Sequence, residues 1–254
     1  MTADPRLYQP APDLLAGRVI MVTGAGAGIG RAAALAYASH GATVILAGRT
    51  TARLEAVYDD IVAAGGPEPA IVPVDLAGAT LEDCRHIAER IDSQLGRLDG
   101  LLHNAGVLGE RKRIEDTSPE SWEEVLRVNV SAAFLLTRAL LPLLKAAPDA
   151  SLIFTSSGVG RQGRAWWGAY AVSKFATEGL MQVLADELGS STSVRVNCIN
   201  PGGTRTRMRQ AAYPAENPDD NPAPEDIMAT WLYLMGPDSR GVNGQSLDAQ
   251  PPRR

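Results

Sequence analysis

The chain has 254 residues, is 45% hydrophobic and carries a formal net charge of -5, a size and composition that suit one domain burying roughly three quarters of its unfolded surface. An acidic balance offers no attraction to polyanions, so no nucleic-acid partner is expected. Cys84 and Cys198 stand far apart, in no Cys-x-x-Cys or Cys/His cluster, which argues against both a disulfide framework and a metal site.

Along the chain, short runs of aliphatic and β-branched residues at 18–23, 42–48, 70–74, 98–103, 151–156, 194–199 and 245–247 predict about seven strands. Between them, Leu81, Cys84, Ile87, Ala88, Ile91 and Leu95 keep helical spacing, as do Ala169, Val172, Ala176, Leu180 and Val183, so each set predicts one buried helix face. Nearly continuous apolar strands separated by helices require a parallel sheet covered on both sides with right-handed crossovers. The expected fold class is therefore a single-domain, doubly wound α/β architecture over residues 1–254. Residues 1–15 and 250–254 are expected to be tails, and the polar, Pro-rich stretch within 207–223 a substrate loop. Residues 1–16 have no basic start followed by an apolar stretch, and no uncharged run reaches the ~18 apolar residues of a membrane span. A cytoplasmic protein with no membrane partner is expected.

The first strand leads into Thr23-Gly24-Ala25-Gly26-Ala27-Gly28-Ile29-Gly30 and then an alanine-rich helix. Gly24 suits the tight turn, the backbone around Gly28 suits close approach of a diphosphate, and the free N–H groups of the following helix favour negative charge. The strand–turn–helix context is what separates this pattern from an ordinary turn. A site for NAD would place a carboxylate at the end of the second strand to hold the ribose 2′-hydroxyl, yet that strand ends Ala47-Gly48-Arg49. Arg49 offers a planar fork for a 2′-phosphate, which favours NADP(H) over NAD(H). The alternative is a solvated arginine at a helix start. Asp75 and Leu76 would flank the adenine, unless Asp75 is only a cap.

Tyr170 and Lys174 lie four residues apart on an expected helix and so project from one face. A tyrosine titrates near ~10, and a neighbouring ammonium would stabilise its phenolate, making Tyr170 an acid/base candidate. Such a pair is often structural, and its meaning rests on its surroundings. Ser157 falls at the carboxyl end of a strand, where open α/β sheets bind ligands, although a hydroxyl there also suits a turn. Asn129 interrupts the apolar stripe of Trp122, Val125, Leu126, Ala133, Leu136 and Leu140. A buried amide needs partners, either a water chain towards Lys174 or an ordinary core network.

These residues, in this order, resemble the short-chain dehydrogenase/reductase family over about residues 17–248, and the resemblance implies a Rossmann-type fold. It implies a cofactor motif at Gly24, Gly28, Ile29 and Gly30, and a structural and cofactor-contacting turn at Asn104, Ala105 and Gly106. It implies a catalytic set in which Ser157 orients substrate, Tyr170 transfers the proton, Lys174 holds the nicotinamide ribose and Asn129 anchors a relay water. It implies that the segment with Pro201, Gly202 and Thr204 holds the nicotinamide carboxamide, and that the protein is a homodimer or homotetramer. Residues 154–164 and 198–206 are similar to YciK-type bacterial members, a subgroup of undefined substrate. His103 replaces a more usual asparagine, Asp248-Ala249-Gln250 replaces a closing Asp-Gly-Gly, and the segment after Thr206 is short for a lid.

The expected function is interconversion of a small-molecule carbonyl and alcohol with NADP(H). A nucleotide-binding sensor without turnover is the alternative, opposed by the intact Asn129, Ser157, Tyr170 and Lys174 set; an epimerase or dehydratase would need a longer substrate region. Trp166 and Trp167 stand beside Tyr170 as candidate substrate neighbours. Arg161, Arg164, Arg205, Arg207 and Arg209 are candidates to receive an anionic or strongly polar carbonyl compound, or else solvated surface charge.

Overall fold

The computed structural model describes residues 4–252. Seven parallel strands, β1 (Val19–Thr23), β2 (Thr43–Gly48), β3 (Ala70–Pro73), β4 (Gly100–His103), β5 (Ala150–Thr155), β6 (Val194–Asn200) and β7 (Ser246–Asp248), form one sheet in the order β3-β2-β1-β4-β5-β6-β7. The expected α/β class holds. The order reverses between β1 and β4, and that switch point opens a crevice at the carboxyl edge of the sheet.

Helices α1 (Gly28–Ser39), α2 (Thr51–Ala63), α3 (Leu81–Leu95), α4 (Pro119–Leu126), α5 (Ala132–Ala146), α6 (Gly168–Gly189), α7 (Arg207–Ala212) and α8 (Ala229–Met235) complete the chain. Alternation along the strands separates two cores. Ile20, Val22, Val44 and Leu46 face α1, α2 and α8, whereas Val19, Met21, Ile45 and Ala47 face α3, α5 and α6.

Three expectations need correction. Residues 4–15 are not a tail. Leu15 is fully buried, and Tyr8 packs edge-on against Tyr233 while its hydroxyl donates to Asp238 at 2.6 Å; apolar side chains here cover the end of α8. At the other terminus, Gln250 is tied down by hydrogen bonds to Pro201 O and Gly203 O at 2.7 and 2.8 Å; residues 1–3 and 253–254 lie outside the described residues. On α6 the expected stripe is rotated. Val172, Phe175 and Val183 are exposed, while the buried face runs through Tyr170, Ser173, Lys174, Thr177, Glu178 and Met181. Polar residues occupy the interior because the site lies there, so hydrophobic periodicity points to the wrong side.

The stretch Pro119–Ala146 is long and apolar enough to cross a membrane by length and composition, although charged residues such as Arg127 and Arg138 interrupt it. Its Val125, Ala133, Leu136, Leu140 and Leu144 are buried within the fold.

Candidate active site

The glycine-rich turn shows why Cβ atoms are excluded from it. Gly24 adopts φ +70°, a left-handed conformation costly to residues with a Cβ. At Gly30 a Cβ would lie 2.2 Å from Gly24 O and 2.6 Å from Asn104 Nδ2. The turn is thus locked to the end of β4, and Thr23 completes the clasp. Its Oγ1 accepts from the backbone N–H groups of Asn104 and Ala105 at 3.0 and 3.1 Å and donates to Leu102 O at 3.2 Å.

Two adjoining clefts flank this turn. The first, about 260 Å³, is lined by Gly24, Gly48, Arg49, Arg53, Asp75, Leu76, Ala105 and Gly106 among others. Arg49, just before α2, is exposed, and Arg53, which sequence reasoning missed, lines the same cleft from the first turn of α2, so two guanidinium groups border one space. Asp75 does not cap a helix; its Oδ1 accepts from Ala77 N at 3.1 Å within a turn, and Thr80 caps α3 instead.

The second cleft, about 700 Å³, runs past Gly28, Ile29 and Asn104 to Tyr170, Lys174 and Pro201. The expected acid/base pair therefore shares one cavity with the glycine turn. Burial pushes the Tyr170 phenol up to about 12, partly opposed by its hydrogen bond with Ser157. Burial also lowers Lys174 to about 8, with the carboxylate of Glu178 among the groups opposing that fall. The expected lowering of Tyr170 by Lys174 is not found. Lys174 Nζ lies 5.6 Å from the tyrosine ring centroid and donates to Thr155 O at 2.7 Å, so desolvation outweighs the ammonium. The phenol is consequently protonated at neutral pH.

Asn129 sits in a π-helical turn, Arg127–Ser131, between α4 and α5. Its Oδ1 accepts from Val107 N at 2.8 Å, and its Nδ2 donates to Val107 O and Ser173 Oγ at 3.0 Å each. The side-chain amide is thereby committed to the loop after β4 and to α6. These bonds give the buried amide the partners it requires. His103, buried against Phe154 and bonded to Thr137 at 2.8 Å, is held neutral by burial, near 3.

Glu178, one turn beyond Lys174, was also missed. Buried, it accepts from Ser156 Oγ and from Ser246 Oγ, the latter at 2.7 Å. It thereby ties the residue before Ser157 to β7. Its signal was an acidic residue four positions from the lysine.

A third cleft, about 540 Å³, opens beside Ser157 and is lined by Arg161, Arg164, Trp167, Gly202, Arg209, Tyr213 and Gln250 among others. Gln250 holds the Pro201–Thr204 turn closed, bonding Thr204 Oγ1 at 3.3 Å besides the two carbonyls. Trp167 lies 5.6 Å from Tyr170 and 5.9 Å from Tyr213, ring to ring. Trp166, with φ 75° and half exposed, lines none of the three clefts. The segment after Thr206 begins with the short helix α7, held by Arg111, whose guanidinium lies 4.5 Å from the Trp167 ring and 4.9 Å from that of Tyr213 and bonds Ala212 O.

Residues 18–217 match the family model described as short chain dehydrogenase. The chain belongs to the short-chain dehydrogenase family. It is 55% identical over 247 residues to YciK, an uncharacterised oxidoreductase of Escherichia coli strain K12, with 97% of each chain covered. A short chain dehydrogenase from Pseudomonas syringae superposes with a TM-score of 0.95 at 62% identity, covering 96% of this chain and 98% of its own. A short chain dehydrogenase from Escherichia coli CFT073, solved in complex with NADPH, gives a TM-score of 0.93 at 55% identity, covering 95% of this chain and 100% of its own. The chain is thus an oxidoreductase of this family, with a small molecule as its expected class of substrate.

Proposed function

We propose that this short-chain dehydrogenase interconverts a carbonyl and an alcohol with NADP(H), using Tyr170 as the acid/base. The observation that carries the reading is the cavity that joins the glycine turn to Tyr170 and Lys174, with Ser157 bonded to the phenol. The cofactor fits this chain on steric grounds. Packing of Gly30 against Gly24 and Asn104 fixes the turn, and Gly24, Gly28, Ile29, Asn104, Ala105 and Gly106 line one continuous cleft along which the diphosphate would run. Arg49 and Arg53 would take the 2′-phosphate, and Asp75 and Leu76 would flank the adenine. Pro201, Gly202 and Thr204 would border the nicotinamide.

Held in this cleft, NADPH would supply the hydride that the carbonyl carbon accepts. Ser157 orients the carbonyl oxygen, and Tyr170, held protonated by burial, donates its proton to that oxygen as the alcohol forms. Lys174 would hold the nicotinamide ribose. Asn129 keeps the loop after β4 at its distance from α6, a positioning role.

The exposed apolar residues Val172, Phe175 and Val183 on α6 and Phe134 on α5 support a homodimer or homotetramer. Two buried free cysteines, Cys84 and Cys198, fit a reducing compartment and support a cytoplasmic location.

NADPH oxidation followed by absorbance over a panel of ketones, aldehydes and quinones tests the proposal. Turnover in the wild type, with a loss of roughly 10²–10⁴ in kcat for Tyr170→Phe and preserved NADPH binding, is expected. Undiminished turnover in that variant would remove Tyr170 from the chemistry, and tight NADPH binding without turnover of any carbonyl would favour the sensor.

A further inference from the structure

The substrate cleft carries positive charge that the protein itself leaves uncompensated. Of its lining arginines, Arg161 is paired with Asp248 at 2.8 Å and Arg209 with Glu216 at 2.5 Å. Arg205, outside the lining, is taken by Asp219 at 2.6 Å. Arg164 lines the cleft and makes no side-chain hydrogen bond or ion pair among the described residues. It stands on the loop between Ser157 and α6, at the rim of the space that Ser157 also borders.

A second unpaired guanidinium lies behind the wall. Arg111 packs between the rings of Trp167 and Tyr213, both cleft-lining, and no carboxylate pairs with it among the described residues. Its Nε is buried without a hydrogen-bond partner. The cleft thus combines the rings of Trp167 and Tyr213, the latter with the Arg209 guanidinium 3.9 Å from its centroid, the Ser157 hydroxyl that bonds Tyr170 in the adjoining cleft, and a net positive rim.

We infer that the substrate of this site is an anionic carbonyl compound with a flat apolar body. Its body lies against Trp167 and Tyr213, its carbonyl reaches Ser157 and Tyr170, and its acidic group pairs with Arg164. The cleft volume of about 540 Å³ suits a small ligand of this kind. The inference deepens the carbonyl-reductase reading and rests on it for the role of the carbonyl, but not for the recognition of the anion.

Matched acid and amide probes separate the two ideas, here 4-acetylbenzoate and 4-acetylbenzamide. Binding to the NADP-loaded enzyme is measured by calorimetry, and reduction by NADPH oxidation, in the wild type and in Arg164→Gln. The expected result is binding of the acid at least about tenfold tighter than the amide, a factor corresponding to about 1.4 kcal/mol, with that preference abolished in Arg164→Gln. Equal affinity, preference for the amide, absence of saturable binding by either probe, or a preference untouched by Arg164→Gln overturns the inference. Arginine-dependent preference for the acid with no reduction of any carbonyl would leave the anion site standing and defeat the reductase reading instead.

Discussion

The proposed cofactor end and the proposed substrate end of the crevice are built by opposite means. Around Gly24 and Gly30 the shape is made by backbone, by the absence of side chains, and by the Thr23 clasp to β4. Around Ser157 it is made by side chains from distant segments. Arg111 comes from the loop after β4, Trp167 from the start of α6, Tyr213 from the end of α7 and Gln250 from beyond β7. A backbone cradle tolerates little change, because each Cβ meets fixed atoms, whereas a side-chain wall can exchange its members without altering the fold. The contrast fits a family whose members share one cofactor architecture while their substrates vary.

The sharpest test of that contrast is Gly30→Val. With backbone atoms 2.2 Å from a Cβ, the turn must move, and a loss of stability of about 1–3 kcal/mol with abolished NADPH binding is expected; urea unfolding and calorimetry check it. A folded variant that retains NADPH affinity would show the cradle to be more yielding than its contacts imply. A smaller effect is expected from Arg49→Glu combined with Arg53→Glu. Removing both guanidiniums while adding charge that repels a 2′-phosphate should reduce the preference for NADPH over NADH by roughly 10²-fold, in line with the loss of charge-assisted bonds. Unchanged kcat/KM for both nucleotides would remove these arginines from the site.

Lys174 provides a test in pH. Burial holds Lys174 near 8, below its ordinary value, so between about pH 8 and 10 the unfolded chain binds a proton that the folded chain has released. Folded stability therefore gains from Lys174 as pH rises through that window, by on the order of 2 kcal/mol. Relative to Lys174→Met, the wild type should gain stability between pH 7.5 and pH 10 in urea titrations. Parallel curves for the two proteins would mean that Lys174 stays charged, and that water reaches it more freely than its burial suggests.

Much of the site was legible because local spacing carried it. Tyr170 and Lys174 share a helix face at four-residue separation, and the glycines sit between a strand and a helix, so both patterns can be read without knowing what packs against them. Glu178, four residues from Lys174 on the same helix, followed the same spacing and was passed over. Arg111, Tyr213 and Gln250 left no such trace, since each acts on a segment remote in sequence: Arg111 on Ala212, Gln250 on Pro201 and Gly203.

By itself the sequence determined the order of strands and helices, the parallel α/β class and the glycine cradle, because alternation, helical period and the need for Cβ-free backbone are local properties. Tertiary structure decided the rest. Which face of α6 is buried depended on the polar site inside, not on the apolar stripe of Val172 and Val183. Whether Lys174 lowers the Tyr170 pKa depended on burial and on the 2.7 Å bond to Thr155. Which arginines remain free for a substrate depended on where Asp248, Glu216 and Asp219 came to lie. In each case the outcome is a competition between desolvation and partners, and those partners meet only when the chain has folded.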